Sequence, residues 1–264
     1  TAKLKNNSCY DIKIVSATSG ADRNGDGTIS AAELDERQNF ANWYSFYRTR
    51  NLMTISAASL AMNTLPGTVR VAWQALNSCR GSTSNLVTSD CEGWQTTATN
   101  FSNALDPFSG TQKTDFYTWL LRLKTNSSTP LTQAMERVGS YCGSSTVNNS
   151  TDKNTRCRKN YHLMMTDGIW NVAPTNSYGN YDNTGHTLPD GKSYSSQTPY
   201  KDGNSNSLAD IAFYYWARDL VSSSDNLVSP SILDLTGTEL QRYFNAKNNP
   251  ATWQHLVNYP VGLG

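Results

Sequence analysis

Residues 22–33 read DRNGDGTISAAE, an alternation of oxygen-bearing side chains around a glycine. Asp22, Asn24 and Asp26 supply side-chain oxygens, and Gly27 permits a sharp turn. Thr28 can offer its carbonyl, Ser30 can act directly or through water, and Glu33 closes the set with a bidentate carboxylate. Six to eight hard oxygens around one point is what Ca2+ requires, and this spacing fills every slot of a twelve-residue calcium loop. The plainer reading is an Asp/Gly-rich turn, with Ser30 and Glu33 forming a capping box for the helix that follows. The segment ahead of the loop reads as strand and turn. The loop is therefore EF-hand-like without being a helix-loop-helix pair, and its expected role is structural bracing.

Other chemistry-bearing residues are sparse. The five cysteines, Cys9, Cys79, Cys91, Cys142 and Cys157, match no zinc or redox spacing. Cys79 with Cys91, and Cys142 with Cys157, bracket polar loops (77–95 and 142–157), so two loop-closing disulfides and an oxidising compartment are expected. Cys9 is left as a free thiol or, preferably, as partner to a cysteine outside this sequence. The three histidines, His162, His186 and His255, fall in separate elements. His162 lies in an apolar strand and reads as a satisfied core histidine. No HExxH, GxSxG or phosphate-cradling glycine loop occurs, so no enzyme is expected.

The elements that position these residues follow from periodicity. Residues 9–16 alternate as a short strand. Ala31 to Asn63 read as one long helix, with Phe40, Trp43, Tyr44 and Tyr47 recurring at helical spacing and ended by Pro66-Gly67. Strands are expected over 68–75, 161–166 and 256–264, and helices over 111–123, 130–141, 208–220 and 238–245. Trp43 and Trp216 fit core positions, whereas Trp170 and Asn171 follow a strand end and fit an exposed recognition surface. Strands alternating with helices predict an α/β, doubly wound sheet with helices on both faces. One domain over 1–264 is expected, with a polar insertion at 172–207. A formal charge of +1 and 16% charged residues predict no electrostatic footprint for nucleic acid or an anionic membrane. No apolar run approaches the roughly 20 residues of a membrane span.

Four strings, QNFANWYSFYRTR (38–50), LMMTDGIWN (163–171), LADIAFYYWARDL (208–220) and WQHLVNYPVGLG (253–264), resemble the N-terminal region of the type IV pilus tip adhesins. The resemblance implies a von Willebrand factor A-like (Rossmann-like) domain at a bacterial pilus tip, extracellular, and involved in surface attachment and pilus biogenesis. It implies as partners the minor pilins at the tip, a host or abiotic surface ligand, and the remainder of the same adhesin. It also implies an adhesion-type metal site at the sheet's carboxyl edge, holding Ca2+ or Mg2+. Ser128-Thr129-Pro130-Leu131 and Thr166-Asp167-Gly168 put Thr129 and Asp167 forward as its ligands. Without the resemblance, Thr129 reads as an N-cap before Pro130, and Asp167 as a strand-ending turn. The family's Asp-x-Ser-x-Ser loop does not occur here, so the site is expected to be incomplete and the chain a fragment whose first strand lies upstream. Two rivals are a structural pilus-tip assembly module without its own host ligand and a calcium-stabilised secreted hydrolase.

Overall fold

The computed structural model describes residues 26–28, 30–76, 105–121, 123, 128–144, 147 and 154–262, and for 32–37 the backbone only. The expected strand at 9–16, the 77–95 loop, and Asp22, Asn24, Cys9, Cys79 and Cys91 lie outside them. Where the sequence predicts one domain, the chain divides into two units, Thr1–Leu65 and Pro66–Gly264.

The first unit carries two helices, α1 (Ala31–Phe46) and α2 (Arg50–Asn63), in place of one long helix. Thr49 causes the break. Its backbone is extended (φ −123°, ψ 155°), and its hydroxyl accepts the Leu52 N–H, as an N-cap does. Ser56 Oγ then donates to the Phe46 carbonyl at 2.9 Å, satisfying one of the orphan acceptors at the end of α1. Periodicity alone cannot see this break, because the aromatic pattern runs straight through it. The α1 aromatics are also not core: Trp43 is 50% exposed, with Phe40, Tyr44 and Phe46 similarly open. They stack on each other instead, with Phe40 5.7 Å from Trp43.

The second unit is mixed α/β. It contains β1 (Arg70–Val71), β2 (Asp106–Pro107), α3 (Gly110–Leu120), α4 (Leu131–Cys142), β3 (Asn160–Thr166), β4 (His186–Thr187), β5 (Ser193–Tyr194), α5 (Leu208–Trp216), α6 (Glu239–Tyr243) and β6 (Leu256–Gly262). Among the described residues the strands form three two-stranded sheets. The pairs β1–β2 and β4–β5 are antiparallel, while β3–β6 is parallel, in register from Asn160 with Leu256 to Thr166 with Gly262. The small parallel sheet agrees with the α/β expectation. Parallel sheets are ordinarily covered on both faces; here Tyr161, Leu163 and Tyr259 stand exposed on one.

Two cores meet along α5. Leu131, Met135 and Cys142 of α4 pack with Met164, Ile211, Tyr215 and Leu256. Gly139 is what lets α4 approach α5 so closely, because a Cβ there would run into the Tyr215 ring. The second core joins Phe213 and Ala217 to Leu188, Tyr194, Tyr243, Ala251 and Trp253. Trp216 is half-buried, donates its indole N–H to Asn249, and packs on Trp253, near the core role predicted for it. Leu188 and Tyr194 come from the 172–207 excursion, which is thus a packed part of the unit.

The Cys142–Cys157 bridge expected from the sequence is not formed. Cys142 lies on the buried face of α4, where desolvation pushes its thiol up to about 12. Cys157 sits exposed on a 3-10 turn (Thr155–Cys157), its thiol donating to the Asn154 carbonyl.

Candidate functional site at the carboxyl end of the parallel pair

At the end of β3 the chain leaves the sheet through Asp167 and Gly168, and Gly168 takes φ +92°, a conformation glycine adopts without strain. Its N–H is held by Thr166 Oγ1 at 3.0 Å. The turn is then pinned to the start of α4 by a reciprocal pair: Thr129 N–H donates to Asn171 Oδ1 at 2.9 Å, and Asn171 N–H donates to the Thr129 carbonyl at 3.3 Å. The two adhesion-type candidates, Thr129 and Asp167, are therefore carried by segments docked on one rim. Helix α4 itself starts at Leu131 with Pro130 at the cap position, so the Thr129-cap, Pro130-first reading is displaced by one residue. Asn171 is a clamp on Thr129 as well as a rim residue. Trp170 is 41% exposed and Ile169 77%, which leaves an apolar tip beside Asp167.

A row of α4 side chains extends the clamp. Thr132 Oγ1 donates to the Val172 carbonyl at 2.8 Å, and Gln133 Nε2 to Ala173 at 3.0 Å. One turn further, the buried Glu136 carboxylate accepts N–H groups from Thr175 (2.7 Å) and Asn176 (2.8 Å), the Asn176 side-chain amide, and the Tyr178 hydroxyl. Burial works against its charge, but the converging donors outweigh it and hold the carboxyl below its ordinary range. Sequence reading missed Glu136. The available signal was an acid on the apolar side of an otherwise amphipathic helix.

The excursion beyond this clamp is stitched by acids and amides. Asn206, at φ 60°, accepts N–H groups from Tyr178 and Gly179 on its Oδ1. Fully buried Asp210 accepts Tyr181 N–H at 2.6 Å on Oδ1, and Ser207 N–H and O–H on Oδ2, which closes a capping box at α5. His186 lies against the Tyr181 ring and bonds the Tyr181 carbonyl through Nε2 at 2.7 Å. His162 is satisfied as predicted, with Nδ1 2.8 Å from Asn258 Oδ1. Burial there pushes its pKa down.

Of the calcium-loop residues, Asp26, Thr28 and Ser30 are described. Asp26 Oδ1 accepts the Thr28 N–H at 2.7 Å, Gly27 takes φ +80°, and α1 begins directly after Ser30. These features fit both a cation loop and a plain turn. Among the described residues, no group of three or more His, Cys, Asp and Glu side chains is arranged to hold a metal ion. No helix among them is long and apolar enough to cross a membrane.

Comparison with known proteins gives one consistent result. No family model matches the chain, and no solved structure does. The chain is 45% identical over 241 residues to the type IV pilus biogenesis factor PilY1 of Pseudomonas aeruginosa strain PAO1, covering 87% of the chain. It is 44% identical over 238 residues to PilY1 of strain PAK and 42% over 243 residues to that of strain UCBPP-PA14. In each case the match takes in 20% of the relative's length. The chain is thus a homologue of one segment, about a fifth, of a type IV pilus biogenesis factor.

Proposed function

We propose that this chain serves a type IV pilus as an extracellular, non-enzymatic assembly and adhesion domain of the von Willebrand factor A type. The observation that carries the reading is 42–45% identity to PilY1 over 87–90% of the chain. In this reading calcium at Asp22, Asn24, Asp26, Thr28, Ser30 and Glu33 braces the start of α1. Thr129 and Asp167 contribute to an incomplete adhesion-type site for Ca2+ or Mg2+, and Trp170 with Asn171, beside the exposed Ile169, presents the contact surface. The partners are the minor pilins at the tip, the remainder of a longer adhesin, and a host or abiotic surface. A calcium loop of this kind would raise stability by mass action, by about 2.7 kcal/mol at a hundredfold excess of Ca2+ over its dissociation constant.

A second reading, assembly without a host ligand, is favoured by the relatives' own designation as biogenesis factors. One chimera tests both: this chain exchanged for the matching segment of the P. aeruginosa factor in a strain lacking that factor. Restored surface pili with restored attachment is the expected result. Pili without attachment would select the assembly reading. An exported, stable chimera that yields no pili would remove both.

A further inference from the structure

The turns at 178–184 and 202–210 are joined by side chains that each keep one buried oxygen without a hydrogen-bond partner. Asp182 is fully buried, and its Oδ1 accepts the Asp202 N–H at 3.3 Å. Its Oδ2 is shut off from solvent with no hydrogen-bond partner. Asn180 donates through Nδ2 to the Asp202 carbonyl at 3.3 Å, and its Oδ1 is likewise buried and unpartnered. Both side chains thus close on the backbone of one residue, and each has an acceptor left over. Asp202 adds a half-buried carboxylate, tied through Oδ1 to Asn204 N–H at 2.7 Å. Native structures pair nearly all buried acceptors, and two orphans beside the carboxylate of Asp202 suit a partner that is a cation, a proton or a water.

We infer that Asp182, Asn180 and Asp202 bind a divalent cation of the calcium class, with the two unpartnered oxygens as its first ligands. The donor set is oxygen only, which suits a hard ion; His186 is committed to the Tyr181 carbonyl. Asp210 is excluded from the set because its oxygens are taken by Tyr181, Asp182 and Ser207. Backbone carbonyls and water complete the shell, as calcium sites commonly allow. This site uses none of the residues of the 22–33 loop, nor Thr129 or Asp167. Its rival is a proton: a neutral Asp182 would need no metal.

The test is calorimetric Ca2+ titration of the chelator-stripped chain in an Asp22→Ala/Glu33→Ala/Asp167→Ala background, which disables the other two candidate sites. One calcium should remain bound. Adding Asp182→Asn should weaken it by at least about a hundredfold, since loss of an outer partner alone costs roughly 10–100-fold. Asp202→Asn, at a half-exposed position, should weaken it by at least about tenfold and decides the question should Asp182→Asn fail to fold by circular dichroism. A folded background chain that binds no calcium, or whose binding neither substitution changes, overturns the inference and leaves the proton.

Discussion

Glu136 and Asp182 are both buried carboxylates, and their surroundings differ in one respect. Around Glu136 the chain converges donors: two backbone N–H groups, an amide and a phenol, all from the segment that α4 clamps. Around Asp182 the chain brings one donor and two further carboxylates. The first carboxyl is held below its ordinary range and the second is raised above it, although both suffer desolvation. A buried acid surrounded by N–H groups is a fastener. One surrounded by acids, with an oxygen unpaired, is a receptor for positive charge.

The contrast can be broken or sharpened by experiment. Glu136→Ala leaves four donors without their acceptor and should cost about 3 kcal/mol or more, with residues 171–178 losing amide-exchange protection. Glu136→Gln keeps an acceptor and should cost about half as much. In saturating calcium, Asp182→Asn should forfeit the metal's contribution, about 2.7 kcal/mol at a hundredfold excess over the dissociation constant, while in chelator it should move stability by less than about 1 kcal/mol. Gly139→Ala attacks the close approach that joins α4 to α5 and should cost about 2 kcal/mol in either medium, because the Tyr215 ring must move.

Acid should separate the two carboxyls in sign. Glu136 has a folded pKa below its ordinary 4.5, so its stabilisation is present above that value and is lost as pH falls through the folded pKa. Asp182, raised above 3.8, contributes the opposite slope: in chelator, stability rises as pH falls through its folded pKa. Thermal scans from pH 7 to 3 on Glu136→Gln and Asp182→Asn should therefore differ from the parent in opposite directions, each on the order of 1 kcal/mol. The smallest effect belongs to the rim tip. Trp170→Ala should shift stability by less than about 0.5 kcal/mol and, if the tip is a contact surface, abolish attachment by the chimera.

Much of the second unit was legible in the sequence because its helices have clear faces and its parallel strands are apolar runs ended by turn residues. The segments 160–166 and 256–262 were found nearly to the residue. The α1–α2 break was hidden because one threonine decides it locally while the aromatic rhythm continues through. The same rhythm made Trp43 look like core, since periodicity reports a face and cannot say whether anything covers it. The Cys142–Cys157 reading failed because loop-bracketing spacing carries no information on side-chain direction: one thiol points into the α4 core and the other sits on an exposed turn. The segments carrying Thr129 and Asp167 are tied through Asn171, a fastening the sequence did not reveal. Glu136 acts on residues some 40 positions away, and two of its four donors are backbone N–H groups, which leave no mark in a sequence.

The parallel pairing of β3 with β6 also governs when this unit can form. His162 and Asn258, bonded across the pair, are 96 residues apart. Strand β6 also brings Leu256 into the first core, and the residues just before it bring Trp253 into the second. A chain that emerges amino end first must hold α4, β3 and α5 without that strand until almost the whole unit is out. Non-local closure of this kind is slow compared with helix formation. The parallel pair and the first core therefore cannot be completed until β6 is available.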